Sequence, residues 1–518
     1  MTIVQTTNGN VRGSVEGELF SFKGIPYAEP IAGRARWLPP QPRRPWVGVL
    51  DAQSYGPPCP QFTGKANKTV FFPKARRQYL TALNGLSTKP ESDDSLLLNV
   101  WSPTLGRDAK LPVMVFIHGG GFASGAANEL YDASPFAKKG VVAVVIQYRL
   151  GPQGFLHGQG LFDGDFCGNN RAFLDQICAL KWVQENIAQF GGDPSLVTIF
   201  GESAGAFSVF PLMASPLAKG LFHRAIPMGG MAQTCAPAKD YQAMTKNVLQ
   251  EMGVAPGDEA ALLALDKAQQ MKLHTLVSKH VFGKGDPDRY GQLSRTKVGF
   301  VGAATGTDFL PLAPLASYGN GTPNNVDLML GTCADDGQLF SLVLPLPQAW
   351  SARLFMNQLR GLIPNNDIPA VIKHYRSQMP GRSNSDVMKQ INNDAFYRMP
   401  TIAAAEAHAA GHPGRTYLYE LDYQSAIDGL GAIHGIDVVL LFGDSHAKAV
   451  LHQDAETEAL RDQMRDAWVS FAKTGKPKAK GMPEWKPFDK KERAVMVFDR
   501  KTKLMTNRDE NLRKYWLQ

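Results

Sequence analysis

Ser203 stands in Gly201-Glu202-Ser203-Ala204-Gly205, directly after the apolar run Leu196–Phe200 and before a segment that reads as a helix from near Ala204. A G-x-S-x-G sequence says little alone, and its setting gives it meaning. On a sharp strand-to-helix turn the serine is held in a strained backbone conformation. Its oxygen is raised above a sheet and beside a helix N-terminus that favours developing negative charge. Glycines two residues to either side remove Cβ atoms that would clash as strand and helix close together. Such a serine is fitted to be the nucleophile of acyl transfer. A second element agrees: His118-Gly119-Gly120-Gly121-Phe122 directly follows the run Leu111–Ile117. Successive glycines let backbone N–H groups turn outward as a donor pair for an oxyanion. A glycine turn without a ligand is the plain alternative, and the apolar strand before the glycines with the elbow after them favours the functional reading. A base has to accompany the serine, and spacing alone does not choose among the six histidines after residue 340, His374, His408, His412, His434, His446 and His452.

These residues need a rigid frame. Leu96–Trp101, Leu111–Ile117, Val141–Tyr148 and Leu196–Phe200 are short apolar runs rich in β-branched residues, as expected of strands buried on both faces of a sheet. Between the last two, Phe173, Leu174, Ile177, Leu180, Val183 and Ile187 recur at helical spacing, so Arg171–Phe190 is predicted to be an amphipathic helix. Strand, helix, strand is a parallel crossover, the mark of a doubly wound α/β sheet. Strand character returns at Val326–Leu330, Tyr417–Leu421 and Val495–Phe498, and Ala459–Lys473 reads as a helix stopped by Thr474-Gly475. Asn8-Gly9 predicts a hairpin turn, the Pro-rich stretch Pro39–Pro45 leads into an irregular region up to about residue 93, and 236–325 reads as a mixture of helical patterns and loops. No linker or internal repeat is present, so 1–518 reads as one domain with insertions around 62–90 and 236–325.

The motifs carry a resemblance. Phe190-Gly191-Gly192-Asp193-Pro194 through Gly201-Glu202-Ser203-Ala204-Gly205 is similar to the active-site signature of type-B carboxylesterases, the α/β-hydrolase branch that includes cholinesterases and bacterial para-nitrobenzyl esterases. Asp93-Asp94-Ser95-Leu96-Leu97-Leu98-Asn99-Val100 resembles the second signature, and Phe22–Ala28, Tyr148–Gly151, Asp175-Gln176 and Trp468–Gly475 fit as well. The resemblance implies an α/β-hydrolase fold: a mostly parallel central sheet with helices on both faces and insertions forming an active-site gorge. It also implies a triad ordered serine, acid, histidine. Gly331-Thr332-Cys333-Ala334-Asp335-Asp336-Gly337 stands where the family's acid loop does, which puts Asp336 in the place of the usual glutamate, with Asp335 as its rival. His434, in Gly431-Ala432-Ile433-His434-Gly435, matches the histidine loop, whereas His408, His412, His446 and His452 lack that glycine frame. By the same resemblance Gly120, Gly121 and Ala204 supply the oxyanion hole. Phe122, Glu202, Phe207 and Phe340 are candidate pocket residues, although phenylalanine is as often plain core. The expected activity is hydrolysis of uncharged carboxylic esters through an acyl-enzyme on Ser203, with no metal or organic cofactor. Alternatives are a specialised hydrolase of a toxin, pesticide, polyester fragment or amide, and a non-catalytic adhesion relative. Such relatives commonly lose a triad member, and here all three stand.

Departures from the family pattern are also informative. Ser95 occupies the usual partner position of Cys59, so a disulfide common in the family is not expected, consistent with a reducing compartment. Gly229 stands where many members have a serine near the acid. Thr81–Ser95 contains no aromatic residue to match the choline-binding tryptophan, which argues against a cholinesterase. Arg36 with Asp93, and Arg149 with Asp175, resemble the family's structural ion pairs.

Composition excludes several other classes. The 518 residues are 44% hydrophobic and 20% charged, ordinary globular values. The formal charge of +8 comes from scattered residues; the densest clusters, Lys74–Arg77, Lys476–Lys478 and Lys490–Arg493, are short and read as solvated surface. No nucleic-acid-binding signature accompanies them. Cys59, Cys167, Cys178, Cys235 and Cys333 form no CxxC pair, which argues against a disulfide scaffold or structural zinc. No apolar run reaches the length of a membrane span, and Met1–Gln5 opens no signal peptide. With Met1 as the native start, the expectation is a cytoplasmic protein, a monomer or weak homo-oligomer, acting on a small-molecule ester. A trimmed signal peptide would make it secreted or periplasmic.

Overall fold

The structure, a computed structural model, describes residues 2–63, 89–282, 286–291, 293, 302–320, 324–338, 368–442, 447–508 and 510–516. Phe340, His446, the Lys74–Arg77 cluster and most of the expected insertion at 62–90 lie outside the described residues.

The apolar runs are strands. In chain order they are β1 (Leu97–Ser102), β2 (Leu111–Ile117), β3 (Val142–Ile146), β4 (Gly192–Glu202), β5 (Arg224–Met228), β6 (Asp327–Cys333), β7 (Thr416–Leu421) and β8 (Val495–Phe498). They lie in the order β1-β3-β2-β4-β5-β6-β7-β8 within a 13-stranded sheet. β1 runs antiparallel to β3, and from β3 across to β8 every pair is parallel. Parallel strands bury both faces, which is why these runs are apolar at successive positions. In β2, Val113, Val115 and Ile117 pack into one core with Phe173, Ile177 and Leu180 of helix α1 (Arg171–Asn186). Met114 and Phe116 point into the other core, with Trp468 and Phe471 of the helix Ala455–Thr474.

The sequence boundaries need adjustment at places where local signals misled. β4 begins at Gly192, well before Leu196, because Gly192 and Pro194 read as breakers yet Gly192 pairs with Leu111. The helix predicted from Ala459 starts at Ala455, where the Asp454 carboxylate caps it by accepting from Thr457 N at 2.8 Å. Its end is as expected, with Gly475 in the left-handed region (φ 72°) and its N–H donating to Phe471 O. The hairpin at Asn8-Gly9 joins Thr2–Gln5 to Asn10–Glu16, and Leu19–Pro26 continues the antiparallel meander to β1. The helical patterns expected after 236 are helices at Ala238–Glu251 and Lys267–Phe282. No helix among the described residues is long and apolar enough to cross a membrane.

Candidate active site

β4 ends at Glu202, helix α2 (Ala204–Ala214) begins at Ala204, and Ser203 sits between them at φ 56°, ψ −119°. A non-glycine residue rarely adopts that conformation, and here the surroundings enforce it. The Ser203 N–H donates to Met228 O, at the end of β5, at 3.0 Å. A Cβ on Gly201 would lie 2.6 Å from the Gly205 carbonyl carbon, and one on Gly205 would run into the Ile117 carbonyl oxygen. The two glycines of the motif are therefore demanded by the closeness of β4, α2 and β2.

The second glycine loop packs against the same turn. A Cβ on Gly119 would lie 3.2 Å from Ser203 Cβ and 2.7 Å from Glu202 Oε2. Gly120 (φ 112°) and Gly121 (φ 62°) both have positive φ. Among the described residues no acceptor is found for the N–H groups of Gly120, Gly121 or Ala204. His118 anchors the loop from beneath: Nδ1–H donates to Gly119 O at 2.8 Å, and its ring stacks 4.5 Å from Tyr148. The Tyr148 hydroxyl donates to His118 O at 2.7 Å. Burial lowers the His118 pKa to about 4, which keeps the ring neutral.

Beyond β6, Asp336 is fully buried, and its Oδ2 accepts from Cys333 N at 2.8 Å. Its Oδ1 accepts from His434 Nδ1–H at 2.7 Å. Asp335 faces another way: its carboxylate accepts from Ala432 N at 2.8 Å, and its own N–H donates to Ala432 O. The neighbouring aspartates thus divide the work, Asp335 tying the acid loop to the histidine loop and Asp336 holding the ring. His408 is buried elsewhere, bonded to Thr416 Oγ1 at 2.8 Å and stacked on His412.

Two groups not foreseen at the site crowd the same imidazole. The Tyr397 ring, in a π-helical turn (Asp394–Arg398), lies 5.0 Å from it. Asp437, three residues past His434 and fully buried, accepts from the Tyr419 hydroxyl at 3.2 Å. Glu202, expected as a pocket residue, is only 6% exposed, and its Oε1 lies 3.2 Å from His434 Nε2. Burial alone would lower the His434 pKa; the Glu202 charge, the Asp336 hydrogen bond and the Asp336 and Asp437 charges overcome it and raise it to about 9. Burial raises Glu202 to about 8, opposed by His434 and reinforced by Asp437 and Asp336. Asp437 is raised to about 6 by burial and by Asp336. Glu202 raises His434 only while it is ionised, so the two groups titrate together. The upward direction for His434 stands because Asp336 remains bonded to Nδ1 in either case.

The pattern of the Carboxylesterase family matches residues 1–516. The chain belongs to that family. It is 33% identical over 505 residues to a para-nitrobenzyl esterase of Bacillus subtilis, covering 96% of this chain and 94% of that protein. Its identity to carboxylesterase 1E of Rattus norvegicus is 32% over 538 residues, covering 96% and 90%. Among solved structures, the Geobacillus stearothermophilus carboxylesterase EST55 superposes with a TM-score of 0.82 at 30% identity, covering all of both chains. A PNB esterase structure does so with a TM-score of 0.80 at 30% identity, covering 99% of each. The mostly parallel sheet flanked by helices is the α/β-hydrolase fold of these neighbours.

This carboxylesterase keeps the expected ion pairs. Arg149 grips Asp175 through two bonds, at 2.8 and 2.6 Å, with both side chains fully buried, and Arg36 meets Asp93 at 3.0 Å. At the family's disulfide position Ser95 Oγ donates to Cys59 Sγ at 3.1 Å, and all five cysteines are free thiols. Burial raises the Cys178 thiol to about 12, as befits an inert core thiol. Of the candidate pocket phenylalanines, Phe122 is 2% exposed and packs on Phe155 at 4.3 Å, while Phe207 is only partly buried. Among the described residues no group of three His, Cys, Asp or Glu side chains could hold a metal ion.

Proposed function

We propose that this carboxylic ester hydrolase works by acyl transfer on Ser203, with His434 as base and Asp336 as the acid that orients it. The observation that carries the reading is the 2.7 Å bond from His434 Nδ1–H to Asp336 Oδ1, with Nε2 of the same ring 3.2 Å from Glu202, the residue before Ser203 on its strained turn. The bond leaves Nε2 as the nitrogen able to take a proton. In the first step the Ser203 oxygen attacks the ester carbonyl as its proton passes to Nε2, and the tetrahedral oxyanion accepts from the N–H groups of Gly120, Gly121 and Ala204. Collapse expels the alcohol, which takes the proton from Nε2. Water then repeats the sequence, giving the free acid and restoring the serine. Asp336 stabilises the transient imidazolium and stays ionised. Donors aimed at the oxyanion are worth about 3–4 kcal/mol each of barrier.

The substrates are uncharged esters, a reading supported by relatives named for carboxylic and para-nitrobenzyl esters. We also read the chain as one domain, since a single sheet takes strands from Thr2–Gln5 through to Lys503–Met505. Hydrolysis of para-nitrophenyl acetate and butyrate tests the assignment. Ser203→Ala should lower kcat by about 10⁴-fold or more while the far-UV spectrum stays native. A variant as active as the parent would contradict the role of Ser203.

A further inference from the structure

We propose that Gly229 is a positioning residue for His434, matched to the short side chain of Asp336; this rests on the triad assigned above. A short acid and a residue without a side chain meet at one imidazole. Gly229 follows β5 directly, with φ 59° and its N–H donating to Gly331 O at 2.9 Å. A Cβ built on it would lie 3.2 Å from His434 Cε1, 3.3 Å from His434 Nδ1 and 3.5 Å from Asp336 Oδ1. Ring and carboxylate together fill the space that a side chain at 229 would need.

The acid cannot move to meet the ring. Its other oxygen accepts from Cys333 N at 2.8 Å, a bond that any advance toward the ring would stretch, and an aspartate reaches one methylene less far than a glutamate. The imidazole must therefore come to the acid, and the missing side chain at 229 provides the room. The ring also meets Glu202 Oε1, 3.2 Å from Nε2, and the Tyr397 ring, 5.0 Å away. A methyl at 229 displaces the ring from a short acid. A longer acid moves the ring outward, away from 229, where the methyl then fits.

A double-mutant cycle on the full-length enzyme with para-nitrophenyl acetate tests this. Gly229→Ala should lower kcat about 100-fold with KM changed less than about threefold, and Asp336→Glu about tenfold. The Gly229→Ala/Asp336→Glu enzyme should be at least about tenfold more active than the product of the two single effects. Gly253→Ala controls for backbone strain, because Gly253 has φ 79° and nothing within 4 Å of its Cβ position; its activity should equal the parent's. If Gly229→Ala fails to fold, Asp336→Glu still decides, since full activity in the Gly229 background overturns the proposal. So does a double variant that equals the product of the singles. Either result with an inactive Ser203→Ala enzyme overturns this proposal alone, whereas an active Ser203→Ala enzyme overturns the triad beneath it.

Discussion

The two halves of the catalytic centre are built from different materials. The nucleophile half, the glycine loop and the turn at Ser203, is shaped by backbone: a Cβ on Gly119, Gly120, Gly201 or Gly205 would run into backbone carbonyls, and the strain is carried by Ser203. The acid–base half is made of buried side chains. Asp336, His434, Glu202 and Asp437 lie close enough to shift one another's protonation, and the loops that bear Asp336 and His434 are tied together through Asp335. Close-packed backbone tolerates almost no added volume, whereas buried titrating groups are governed by charge and reach. The contrast explains why the turn at Ser203 accepts no added volume, whereas the seat of His434 is set by the reach of Asp336 and by the glycine facing both.

The contrast can be attacked directly. In the acid–base half, His434→Ala should cost about 10⁴-fold or more in kcat with little change in thermal midpoint. An equal loss of stability would mean that the imidazole is structural. Asp336→Ala should cost about 10³-fold, while Asp335→Ala costs less than about tenfold in kcat and about 1–2 kcal/mol in stability, as a lost loop anchor. The reverse ranking would exchange the two aspartates. In the nucleophile half, Gly205→Ala should destabilise by about 3 kcal/mol, read by denaturant unfolding, because the Ile117 carbonyl cannot retreat from the added methyl. A stable, fully active Gly205→Ala enzyme would remove the volume argument.

The smallest effect concerns protons. Activity requires neutral His434, whose pKa is raised, so kcat/KM should rise with pH through a midpoint above the ordinary imidazole range and toward about 9. Glu202→Gln removes the largest group holding that proton, so the midpoint should fall by about one unit. A midpoint that stays in place would show that Glu202 does not bear on the base.

Much of the nucleophile half was legible in the sequence because its signals are local. Glycine spacing, the apolar runs before each motif and the helix after Ser203 sit within a few residues of one another, and β2 spans the predicted Leu111–Ile117. The acid–base half was legible only through family resemblance. Its partners are brought together by the β6–β7 pairing of distant segments, and nothing near Asp336 in the chain separates it from Asp335. Tyr397 carried no signal, being one aromatic in a helical stretch. Asp437 did carry one: a lone carboxylate beside the apolar run Val438–Leu441 has to find a buried partner, and it finds Tyr419. Gly229 stood out as a departure, yet its meaning lies in a ring contributed by a loop some 200 residues away, about as remote a contact as local pattern can miss.

The central claim is that one serine becomes covalently acylated. Incubation with a fluorophosphonate ester, which loses fluoride as a serine oxygen attacks phosphorus, followed by peptide mass spectrometry, tests it most directly. The account predicts a single phosphonyl adduct on Ser203, formed in step with loss of esterase activity and absent from His434→Ala. An adduct on another residue that tracks inactivation, or an inactivated enzyme with Ser203 unmodified, would contradict it.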